Sequence, residues 1–245
     1  EISSLRLLVH GVDPNDVMVP LAVENVDVST PQSRAAIILS FVTYFFLFAS
    51  IIGAFYLAID ATAGERERGS LEPLLTTSIS RGTLVCAKLL AVTTFSAVSL
   101  GLDILAMAGC QNLIPAQELN IVVNFGPQFV CMAFLIGLPF CLFIAALLTV
   151  VASFTRSYKE AQTWLSFIFL VPMIPAFGLM MFPAEPRLWM MLVPTMSQDV
   201  LMIALLKGEA LKPWFAAISA GSTLLLGFGL AWLATWVYRR ENILG

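Results

Sequence analysis

Charge is scarce in this chain. Asp, Glu, Lys and Arg make up 12% of its 245 residues, against about 25% in an average soluble domain. With 59% apolar residues and a mean hydropathy of +0.89, this excludes an ordinary soluble globular domain and a disordered chain. The formal net charge is −3. A nucleic-acid partner calls for a basic surface, so nucleic-acid binding is excluded as well. Histidine is almost missing, His10 being the single one. An HExxH zinc site or a His-pair intramembrane metalloprotease needs two. No GxxxxGK[ST] run occurs, so the chain binds no ATP through a P-loop of its own. The four cysteines, Cys86, Cys110, Cys131 and Cys141, form no CxxC pair and imply no disulfide framework. They are expected as small hydrophobes facing helix neighbours. The ten methionines lack metal-ligand spacing and read as flexible packing.

What remains is long apolar runs, and the unit to count is a membrane span of about 20 residues. Ala35 to Ile59 contains no charged residue and is the first span. The others are expected at 83–109, 127–153, 161–182 and 213–238. Lys88 interrupts the second near its start, from where it can snorkel to the interface. Pro172 and Pro175 should kink the fourth. Residues 186–208 are cut by Pro194, Asp199 and Lys207, and a short re-entrant or interfacial helical segment fits them. Residues 1–34 mix β-prone stretches with Asp13-Pro14-Asn15 and read as the tail of an extracytoplasmic domain. The first residue is Glu1 and no signal peptide is visible, so the natural protein is expected to start earlier.

Orientation follows the loop cations. Arg66, Arg68, Arg81, Lys88, Arg156, Lys159, Arg239 and Arg240 collect on one side, and Arg6, Arg34, Arg187, Lys207 and Lys212 on the other. The first side, the richer, should be cytoplasmic. Residues 1–34 and the 186–208 segment then face outward. Together these features define an all-α integral membrane protein with about five visible spans in residues 35–245.

The loop after the first span is the most polar stretch of that region. Glu65-Arg66-Glu67-Arg68 precedes Ser70, a good N-cap, with Glu72 and Pro73 in the first turn that follows. Leu71, Leu74, Leu75 and Ile79 fall on one helical face. The spacing predicts a cytoplasmic amphipathic helix over about 65–80. Two readings follow: an interfacial helix on lipid, or a helix that docks into a partner's groove.

The run Ala63-Gly64-Glu65-Arg66-Glu67-Arg68-Gly69-Ser70-Leu71-Glu72-Pro73-Leu74-Leu75-Thr76-Thr77-Ser78-Ile79-Ser80-Arg81, followed by Lys88-Leu89-Leu90-Ala91, resembles the signature of ABC-2-type permeases. Its nearest likeness is the sodium-extrusion, Nat-type branch. The Tyr238-Arg239-Arg240-Glu241 ending agrees. The family pattern is six spans with a large external domain between the first and second, so the visible spans would be the second to sixth. The resemblance implies the membrane-spanning subunit of an exporter in a prokaryotic inner or plasma membrane. It implies a second permease subunit and two copies of a cytoplasmic ABC ATPase. ATP and Mg²⁺ would sit on that partner, with no cofactor in this chain. The chain is then not itself an enzyme.

On this reading Glu65, Glu67 and Glu72 face basic residues of the ATPase, Arg66 and Arg68 face acidic ones, Leu71, Leu74, Leu75 and Ile79 fill its groove, and Arg81 belongs to the same coupling region. Asp103 is the acid well inside a span. Such a residue is a functional candidate and a carboxylate suits a hard cation such as Na⁺; an interhelical hydrogen bond is the structural alternative. Gln128, Gln162 and Asp199 are further pathway candidates. Two other readings stand beside sodium export: an ABC-2 exporter of a drug, lipid or glycan, and a non-transporting membrane partner subunit.

Overall fold

The structure is a computed structural model that describes residues 31–70, 73, 78, 80–110, 125–182 and 185–239, with side chains described from residue 37 to residue 238. Residues 1–30 of the tail expected at 1–34 lie outside the described residues, as do Leu71, Glu72, Leu74, Leu75 and Ile79 of the expected amphipathic face. Among the described residues every regular element is helical. Five helical segments are long and apolar enough to cross a membrane.

Helix α1 (Pro31–Ile59) starts on proline, whose missing N–H is an orphan there in any case. It begins before the apolar run at Ala35. Helix α2 (Arg81–Gly109) is capped by Ser80, whose hydroxyl accepts from the Thr83 N–H at 3.1 Å. Helix α3 (Pro127–Ser153) again opens on proline. These helices have 29, 29 and 27 residues, or roughly 40 Å at 1.5 Å per residue. That exceeds a hydrocarbon core of about 30 Å. Helix α3 is the centre of the bundle. It packs on α1, α2 and the last helix, α7 (Pro213–Arg239). Its most apolar stretch is 56% buried, against 17% for that of α7.

The fourth span departs from a simple proline kink. It consists of α4 (Tyr158–Ser166), a 3₁₀ turn at Phe167–Phe169 and α5 (Leu170–Met181). The break precedes Pro172 and places it in the first turn of a new helix, where its missing N–H costs nothing. Pro175 lies inside α5 and cannot bond the Val171 carbonyl one turn back. That carbonyl is instead reached by the Thr195 hydroxyl at 3.5 Å. The 186–208 segment holds a 3₁₀ turn (Leu188–Leu192) and helix α6 (Met196–Leu206). Met190, Met191, Val200 and Leu201 form a satellite core there with Leu179 and Phe215.

Small residues let the helices approach. A Cβ at Gly53 would lie 2.4 Å from the Ser99 Cβ and 2.8 Å from the Phe95 carbonyl oxygen. Glycine is therefore required where α1 crosses α2, as in small-residue packing of membrane helices. Polar contacts finish this crossing. The hydroxyls of Ser50 and Ser96 are 2.7 Å apart, and Ser99 donates to the Ala49 carbonyl at 2.8 Å. Cys141 of α3 joins Ser50 at 3.4 Å and is buried. Cys86, Cys110 and Cys131 are exposed, which corrects the expectation that all four face helix neighbours. Those three thiols lie on helix faces that no described neighbour covers.

Candidate functional site

The end of α1 carries the site. After Ile59 the backbone widens into a π-helical turn, Asp60–Gly64, then resumes as one helical turn, Glu65–Glu67. Such insertions re-phase a helix and occur often at functional sites. Here the re-phasing spreads four consecutive charges in different directions.

Arg66 turns to α3. Its Nη1 donates to the Thr155 carbonyl at 2.6 Å and its Nη2 to the Ser153 carbonyl at 3.0 Å. The last carbonyls of a helix have no partner within it, and a cation there complements the dipole. Arg66 thus acts as a two-pronged cap on α3. Glu67 turns to α4 and accepts from the Tyr158 N–H at 2.6 Å. That N–H is one of the orphans at the start of α4, where an anion is favoured. One dipeptide therefore holds both sides of the 154–157 connection.

Glu65 turns to α2 and pairs with Lys88. The Lys88 ammonium also donates to the Ala61 carbonyl at 2.6 Å, inside the π-helical turn, and lies 5.5 Å from the centre of the Tyr238 ring. Lys88 is only 8% exposed, so it does not snorkel to solvent as expected. A carboxylate, a carbonyl and an aromatic face replace water around it. Arg81 reaches the Tyr238 carbonyl at 3.4 Å. Arg68 folds back on Asp60, with an N–O distance of 2.7 Å. The Asp60 carboxylate pushes the Arg68 guanidinium further above its ordinary range. Both groups are about half exposed, and such pairs add little stability.

The described charges offered to a partner by the sequence thus make contacts within the chain. They join the ends of α1, α2, α3, α4 and α7. The alternation of signs at 65–68 was visible in the sequence, but the helix end each charge meets was not. Lys88 was visible as a cation in an apolar run, a signal for a buried partner.

The pathway candidates are not joined. Gln128 and Gln162 are exposed, Asp103 is half-buried with one carboxyl oxygen unpartnered, and Asp199 is wholly buried. No hydrogen bond or ion pair among the described residues connects any two of them. Asp199 sits in the first turn of α6. Removing a carboxylate from water costs several kcal/mol, and a helix N-terminus returns only about 0.3–1 kcal/mol.

Sequence reasoning missed the support beneath Asp199. Thr195, the N-cap of α6, has φ 69° and ψ −55°, a left-handed conformation that is strained for a β-branched residue. It is held by a capping box. The Thr195 N–H donates to Gln198 Oε1 at 2.8 Å, and Gln198 Nε2 donates to the Thr223 hydroxyl of α7 at 3.0 Å. Strain of this kind persists only where the surroundings over-determine it. The Thr-x-x-Gln spacing is a sequence signal for such a cap.

A multi-pass helical membrane protein with a charged clip joining its spans at one end is the class these observations define. Residues 13–236 match the model of the ABC-2 family transporter proteins, and the chain belongs to that family. It is 29% identical over 181 residues to the ABC transporter permease protein NatB of Bacillus subtilis (strain 168). The aligned region is 72% of this chain and 46% of that protein, so the chain spans about half the length of the curated relative it matches. No solved structure matches.

Proposed function

We propose that this chain forms the membrane-spanning permease of an ABC-2-type exporter, in which residues 65–81 receive the motion of a cytoplasmic ATPase and pass it to the spans. The observation that carries this reading is the clip. The turn 65–67 opens the stretch predicted to dock, and its three side chains bond the ends of α2, α3 and α4. A push on the loop therefore acts on several helix ends at once. Leu71, Leu74, Leu75 and Ile79 would supply the apolar docking face, with Glu72 beside them. ATP and Mg²⁺ would bind two ATPase copies below a pair of permease subunits. This chain would supply no ATP-site chemistry. Its part is to hold two packings close in energy.

The proposed substrate is Na⁺, with Asp103 as a ligand on the outward half. Resemblance to the sodium-extrusion branch supports it, and a carboxylate oxygen suits a hard cation. A second reading, an amphipathic substrate, draws on an open apolar cleft of about 480 Å³ between α2 and α3, lined by Leu90, Ala97, Leu102, Phe134 and Leu138 among others. The test is ATP-driven uptake of radioactive sodium into inverted vesicles carrying the full-length protein and its ATPase. Uptake abolished by Asp103→Asn supports sodium export through this site. Intact ATP hydrolysis with no sodium movement overturns sodium and favours the amphipathic substrate.

A further inference from the structure

Helix α6 buries an acid that nothing pairs. Asp199 has no exposed surface, and neither of its carboxyl oxygens has a hydrogen-bond partner. Thr43 of α1 is the polar side chain that faces it, with no hydrogen bond between the two. The Thr43 hydroxyl donates its own hydrogen to the Ser40 carbonyl at 3.1 Å, so it presents lone pairs to Asp199. A carboxylate has no hydrogen to give them. A carboxylic acid has one, and could satisfy both groups at once.

The surroundings offer no compensating cation. Helix α6 packs on α1, α3, α5, α7 and the 188–192 turn. The described titratable or charged side chains on those elements are Tyr44 and Tyr56 of α1, Cys131 and Cys141 of α3, and Tyr238 of α7, with Asp60 in the π-helical turn that follows α1. Arg187, Lys207, Glu209 and Lys212 flank the segment. None of them is hydrogen-bonded to Asp199. Cys141 is turned to Ser50, Asp60 to Arg68, Tyr238 to Lys88 and Lys207 to Glu209. Gln198 spends its amide on Thr195 and Thr223.

We propose that Asp199 is a proton-binding site: in this packing its carboxyl is neutral, and it releases the proton only when α6 parts from α1 and admits water. The ligand is a proton. The site ties the short helix to the first described span and makes their separation depend on pH. The inference rests on side chains of α1 and α6 and stands whether or not the chain exports sodium.

The sign follows from linkage. Below the ordinary carboxylate range, native and unfolded chains both hold the proton. Above it the unfolded chain loses the proton first. Stability then falls with rising pH, by up to about tenfold in the folding constant per pH unit, until the native acid ionises. Asp199→Asn keeps a donor toward Thr43 and cannot ionise.

The test uses the full chain, purified in detergent and reconstituted in lipid. Infrared spectroscopy at about pH 7 is expected to show a protonated-carboxyl stretch that is absent from Asp199→Asn. Thr43→Val should shift that band without removing it. Thermal unfolding from acid to alkaline pH should show a fall in wild type that Asp199→Asn lacks. The proposal is overturned if no band depends on Asp199, or if both proteins show the same pH slope. It is also overturned if added Na⁺ or K⁺ selectively restores wild-type stability at alkaline pH, since a metal cation would then occupy a charged carboxylate.

Discussion

The guanidinium of Arg66 bonds the carbonyl of Thr155, 89 positions away in sequence, at 2.6 Å. Through it the end of the first described span closes the end of the central one. Replacing Arg66 by Ala leaves the Ser153 and Thr155 carbonyls without that cap. The expected loss is about 1.5–3 kcal/mol, the range for hydrogen bonds to a charged group. Arg66→Lys cannot bridge two carbonyls and should fall between. Thermal unfolding of the purified chain checks the order.

The Glu65–Lys88 pair calls for a double-mutant cycle. Lys88 is nearly inaccessible, so Glu65→Gln leaves a buried ammonium facing a carbonyl and a ring. Breaking such a pair by removing one partner costs about 3–5 kcal/mol when both are fully buried. Glu65 keeps 23% of its side chain exposed, so a loss nearer 2 kcal/mol is expected. Glu65→Gln with Lys88→Met should be less destabilised than either single variant. Additive losses would show that the pair is not coupled.

Glycines at two places should behave oppositely. Gly53→Ala puts a methyl against the Phe95 carbonyl and Ser99, and overpacking of this kind costs about 1–3 kcal/mol. At Gly229 a Cβ meets nothing within 4 Å. Gly229→Ala should be neutral or gain about 0.5–1 kcal/mol from helix propensity. Melting temperatures of the two variants decide.

Thr195 combines strain with a cap. Thr195→Ala keeps the positive φ and loses the cap, a loss of about 1–2 kcal/mol. Thr195→Gly also loses the hydroxyl but relieves the strain. The glycine variant is therefore the more stable of the two, an order that chemical denaturation in detergent can read. Equal stabilities would mean that the conformation carries no strain.

The five spans were legible because uninterrupted apolar length is a direct physical signal, independent of tertiary detail. The break at Phe167–Phe169 was less so. Pro172 announced a disturbance, but whether a helix kinks or restarts depends on who takes the freed carbonyls, here in part Thr195. Hydropathy placed Lys88 in a span and suggested escape to the surface. Its burial depends on Glu65, Ala61 and Tyr238 converging from three other stretches of chain. Asp199 lies on an 11-residue helix, too short to read as a span, so its depth inside the protein left no mark on composition. The helix ends met by the charges at 65–68 were not legible, because periodicity cannot show which ends lie nearby.

In the proposed function Arg66 and Glu67 carry motion from the loop to the spans. The most direct test attaches a membrane-impermeant thiol reagent to Gln162→Cys, one turn beyond Tyr158, with Cys86, Cys110 and Cys131 replaced. The full-length permease is assembled with its ATPase, and labelling rates are compared in the nucleotide-free and ATP-trapped states. A several-fold change in rate is expected, and it disappears in Arg66→Ala, Glu67→Ala while ATP trapping persists. An undiminished change in that double variant would contradict that role.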